Sequence, residues 1–116
     1  MEQVRDERMG KILSELAELL YQVYKDKLKA VILYGSVARG TQTKESDIDI
    51  MVLVDGNTEE LRNYDEKLSD VSTDMALKYL EVFSIIDVSY QEYEDWKQVS
   101  PFYKNVSEEG VVLYAA

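Results

Sequence analysis

The chain has 116 residues, 46% hydrophobic and 31% charged, and its 13 basic and 23 acidic side chains give a formal net charge of −10. That size and mixture suit one folded domain, expected over 1-116, and exclude a disordered chain; the negative charge repels a phosphate backbone, so direct nucleic-acid binding is not expected. With no cysteine and no histidine, disulfides and the usual zinc ligands are excluded, and a general base must be a carboxylate, a tyrosine or a lysine.

In chain order, Met9, Ile12, Leu13, Leu16, Leu19, Leu20, Val23 and Tyr24 recur at steps of three and four, which predicts an amphipathic helix over about 5–26. Ala30 to Tyr34 is a short β-branched and aromatic run stopped by Gly35, the pattern of a buried strand. Ile48 to Val54 predicts a second strand, closed by the turn sequence Asp55-Gly56-Asn57 and expected to pair with the first. A long helix over about 58–80 follows from Leu61, Tyr64, Leu68, Val71, Met75 and Leu77, with Thr58 as its expected N-cap. Val82 to Tyr90 reads as a third strand with Phe83, Ile85, Asp87 and Ser89 on one face. A short acidic helix around 91–99, a further helical turn after Pro101 and a terminal strand Val111 to Tyr114 complete the chain. This order predicts an α+β fold, a small mixed β-sheet with helices packed on one face. The longest apolar runs are only a few residues and the charged start lacks a signal core, so no membrane segment is expected and the cytoplasm is the expected compartment.

The chemistry concentrates between the first two strands, in Gly35-Ser36 followed after ten residues by Asp47-Ile48-Asp49. A glycine after a strand lets the backbone approach a phosphate, Ser36 adds a hydroxyl, and a helical turn over 37–39 would aim free N–H groups at the same anion. Asp47 and Asp49, two apart at a strand's start, project to one face and can share divalent cations, with Mg²⁺ suited to their oxygens. Asp87 is the expected third carboxylate on a neighbouring strand, able to complete a metal shell or take a proton; a sheet-edge residue or a partner of a buried cation is the alternative. Arg39 and Lys44 are candidates for phosphate contact, with a solvated loop charge as the equal alternative. No Gly-Lys-Ser/Thr or Gly-x-Gly-x-x-Gly pattern occurs, and residues 45–49 lack the glycine and distal glutamate of a calcium loop. The residues thus point to nucleotidyl transfer, in which a hydroxyl strikes the α-phosphorus of a nucleoside triphosphate.

With Gly35, Ser36, Ala38, Arg39, Gly40, Ser46, Asp47, Ile48 and Asp49 in place, and the ending Glu109-Gly110-Val111-Val112-Leu113-Tyr114, the chain resembles the minimal nucleotidyltransferase domains of the DNA polymerase β-like superfamily. The resemblance implies that fold, Mg²⁺ held by two ions' worth of carboxylates (Asp47, Asp49 and Asp87), Gly35, Ser36 and Arg39 on the nucleotide, and transfer of AMP from ATP to a hydroxyl. Many such domains resemble the antitoxin of a toxin–antitoxin pair whose partner is a HEPN ribonuclease, so the implied acceptor is a tyrosine of a HEPN-type toxin. A non-catalytic antitoxin that acts by binding alone, and a transferase acting on an aminoglycoside-type small molecule, are the alternatives.

Overall fold

A computed structural model describes residues 7–116. Helix α1 (Glu7–Tyr24) buries Ile12, Leu13, Leu16, Leu20 and Tyr24, the apolar stripe expected from the three- and four-residue spacing. The first two residues of the helix expected over 5–26 lie outside the described residues, and at its other end Lys25 turns the chain with φ +52° into a short 3₁₀ turn.

Strands β1 (Leu28–Tyr34), β2 (Ile48–Val54), β3 (Phe83–Ser89) and β4 (Val111–Ala115) form one sheet in the order β3-β2-β1-β4. β1 runs antiparallel to both β2 and β4, whereas β2 and β3 are parallel. The sheet is therefore mixed, as expected. Between β1 and β2 lies the single helical turn α2 (Gly35–Arg39).

The segment expected as one helix over 58–80 is two, α3 (Thr58–Leu61) and α4 (Asp65–Tyr79), joined by a 3₁₀ turn at Arg62–Tyr64. Its N-cap is Asn57, not Thr58: the Asn57 side chain accepts from the Glu60 N–H while the Glu60 carboxylate accepts from the Asn57 N–H, satisfying two helix-end donors reciprocally. The C-terminal helices are α5 (Tyr90–Trp96) and α6 (Pro101–Glu109), each capped by a serine, Ser89 and Ser100.

Alternation along the strands divides the packing between two faces. Val31 and Leu33 of β1, Ile48, Ile50 and Val52 of β2, and Phe83 of β3 pack with α1 and α4 in the main core. The expectation of helices on one face holds for these two long helices. On the other face Ile32, Met51, Leu53 and Val88 meet Tyr93 of α5 and Val106 of α6, a second and smaller layer. The short helices cover only part of that face, and the ends of β1 and β2 emerge beyond them at the site described next.

Candidate active site

β1 ends at Tyr34, whose register partner on β2 is Asp49. Gly35 then takes φ +76°, a left-handed conformation that side chains with a Cβ resist. The position also forbids a Cβ sterically, because one built there would stand 2.3 Å from Asp49 Oδ2. The carboxylate of Asp49 thus lies against the backbone of the turn that follows β1.

Helix α2 starts at this glycine without a side-chain cap and ends in Gly40 at φ +74°. The Gly40 N–H bonds the Val37 carbonyl and the Thr41 N–H bonds the Ser36 carbonyl, the paired closure of a Schellman motif. Ser36 sits in its first turn, where uncapped N–H groups and the positive end of the peptide dipoles favour an anion. Arg39, in its last turn, pairs with Glu109 at 3.5 Å across exposed surface. The loop 41–47 bonds to itself, with the Thr43 N–H on Ser46 Oγ at 2.9 Å and the Ser46 N–H on the Thr43 carbonyl at 3.1 Å. Ser46 therefore shapes the turn that delivers Asp47 to the start of β2.

Ile48 and Ile50 are buried in the main core, so Asp49 between them projects from the opposite face. Burial raises the Asp49 carboxyl above its ordinary range, the charge of Asp47 raises it further, and Arg39 draws it partly back. The Asp49 carboxylate, with the charge of Asp47 close enough to disfavour its ionisation, offers oxygen ligands of the kind that fit a hard divalent cation such as Mg²⁺.

Asp87 does not join them, which corrects its expected place as the third carboxylate. On β3 it is in register with Val52, three residues along from the Asp49 pairing, roughly 10 Å of strand. It also projects from the other face: paired residues of parallel strands share a face, and Val52 belongs to the main core. There Asp87 Oδ2 accepts the Tyr24 hydroxyl of α1 at 2.8 Å, and burial raises both groups above their ordinary values. Among the described residues no three acidic side chains converge as a metal cage.

The structure adds an aromatic wall that the motif did not predict. Tyr34, on the same face as Asp49, meets the Phe102 ring of α6 edge-on at 5.5 Å. Its hydroxyl is pushed up, first by burial and then by the charge of Asp49. The strand pattern carried a signal for Tyr34, which alternates against the buried Val31 and Leu33; Phe102 depends on how α6 docks and left none. A cleft of about 570 Å³ lies at the far end of β2 and β3, lined by Asp55, Gly56, Ser89, Tyr90 and Trp96. The length of β2 separates it from the carboxylates, so its volume does not locate the chemistry.

Residues 14–116 match the family model described as polymerase beta, nucleotidyltransferase. Two Methanocaldococcus jannaschii proteins, each named "putative protein adenylyltransferase", are similar in sequence. One is 38% identical over 104 residues, covering 90% of this chain and 96% of that protein. The other is 44% identical over 80 residues, covering 59% and 80%. Among solved structures, a toxin–antitoxin with AMP-PNP shares the fold with TM-score 0.58 at 21% identity, covering 89% of this chain and 73% of that one. A tri-AMPylated Shewanella oneidensis HEPN toxin in complex with MNT antitoxin shares it with TM-score 0.55 at 16% identity, covering 92% and 73%.

Proposed function

The chain belongs to the polymerase β nucleotidyltransferase family, and on that premise we propose that it is an antitoxin that transfers AMP from ATP to a tyrosine hydroxyl of a HEPN-type toxin. The observation that carries the reading is the contact of Asp49 with Gly35, which sets a carboxylate beside Asp47 directly against an uncapped phosphate turn. In this reading the Gly35 turn and Ser36 hold the triphosphate and orient its α-phosphorus, Arg39 exchanges Glu109 for phosphate oxygens, and Asp47 and Asp49 hold Mg²⁺. Bound there, the metal supplies positive charge against the triphosphate and the leaving pyrophosphate. The acceptor oxygen bonds to the α-phosphorus as the bond to the pyrophosphate oxygen breaks, and the hydroxyl proton passes to solvent.

A protein acceptor is supported by the two similar proteins named for protein adenylyl transfer and by the shared fold of the antitoxin in complex with a tri-AMPylated toxin. The net charge of −10 complements a basic partner. Among the described residues no helix is long and apolar enough to cross a membrane. Co-expression with the HEPN-type toxin tests the reading. Asp47→Asn and Asp49→Asn are expected to abolish both AMP transfer and protection of the cell, whereas protection that survives both changes would replace catalysis by occlusion.

A further inference from the structure

Two carboxylates beside a phosphate turn leave one side of a cation's shell to be filled, and the parallel register decides which residue of β3 borders them. Asp49 is opposite Ser84. Phe83 and Ile85 pack into the main core, while Ile86 and Val88 pack into the smaller layer on the other face. Alternation therefore sends Ser84 out on the face of Asp49, Tyr34 and the phosphate turn, where neighbouring strands stand about 4.8 Å apart.

We infer that Ser84, not Asp87, is the residue of β3 that borders the cation-binding pair, so that this chain brings two carboxylates and a neutral hydroxyl to the metal. This deepens the proposed function and rests on it. A site with one fewer negative ligand binds its cation more weakly, because affinity for hard cations follows ligand charge. It also has no spare carboxylate on β3 to take the acceptor's proton. Cation binding is then completed by the phosphate oxygens of the nucleotide, and the empty protein holds metal poorly.

Mn²⁺ alone, titrated into the full-length protein and followed by loss of the free-ion electron paramagnetic resonance signal, tests the inference without reference to activity. Ser84→Asp is expected to tighten Mn²⁺ binding by about tenfold or more, and Asp87→Asn to leave it within about twofold. Ser84→Glu serves as a second variant should Ser84→Asp lose its folded circular dichroism spectrum. Unchanged affinity in the folded acidic Ser84 variants, with affinity lowered by Asp49→Asn, would overturn the role of Ser84 and leave the metal at Asp47 and Asp49 standing. Affinity lowered by Asp87→Asn would overturn it from the other side. Unchanged affinity in Asp49→Asn would instead remove the metal reading on which the inference rests.

Discussion

Gly35 meets two separate demands, a left-handed φ of +76° and the approach of Asp49 Oδ2 to 2.3 Å from the place of a Cβ. Gly35→Ala must therefore both strain the turn, at about 1–2 kcal/mol, and push the Asp49 carboxylate away from the turn proposed to bind phosphate. The expected outcome is a folded protein with a lower melting temperature and no detectable nucleotide binding by calorimetry; wild-type binding in that variant would contradict the geometry. Asp87 makes the converse case. Its carboxyl is raised mainly by burial, against the Tyr24 hydroxyl bond that lowers it. A carboxyl raised in the folded state binds more protons there than in the unfolded chain, so native stability falls as pH rises from near the ordinary carboxylate value of about 4 through the raised one. Asp87→Asn keeps an oxygen for Tyr24 and removes that titration. Chemical denaturation at a series of pH values should show the wild type losing stability relative to the variant across that window, and a parallel pair of curves would contradict it.

At the level of elements, α3 depends on the Asn57–Glu60 capping box. Asn57→Ala should lower stability by about 1 kcal/mol, roughly 4–8 °C in melting temperature for a domain near this size, with transfer activity retained because α3 follows the far end of β2. Helix α1 and strand β2 were legible from local pattern, β2 with its boundaries, because α1 buries one apolar stripe and β2 is an apolar run, broken only by Asp49, that is buried on both faces. The break between α3 and α4 was not, since the step of three from Leu61 to Tyr64 fits an α-helix and a 3₁₀ turn equally. The tight turn at Gly35 and the neighbouring start of β2 at Asp49 were legible as a spacing, whereas the residue of β3 beside Asp49 depended on how β3 registers against β2. Alternation alone did not settle it, because both strands are apolar on both faces: Asp87 shares its face with Phe83 and Ile85 while Ile86 and Val88 are apolar on the other, and Asp49 shares its face with Met51 and Leu53 while Ile48 and Ile50 are apolar on the other.

Over the whole molecule, a net charge of −10 on 116 residues disfavours the compact state through self-repulsion. The ion pairs Arg8–Glu81, Lys78–Glu15 and Lys97–Glu94 all reach solvent, where water and salt screen them. Raising salt from about 0.01 to 0.15 M shortens the screening length from about 30 to 8 Å and should raise the melting temperature; a fall would show that the exposed pairs dominate. Under the proposed function the same charge favours a basic partner, whose hydroxyl would reach the carboxylates at the end of the sheet that the short helices leave uncovered. The most direct measurement is the intact mass of a HEPN-type acceptor after incubation with ATP, Mg²⁺ and wild-type, Asp49→Asn or Asp87→Asn protein. Whole AMP units added by the wild type and by Asp87→Asn, and none by Asp49→Asn, are the predicted result; transfer that persists without Asp49, or is lost with Asp87, would contradict the site.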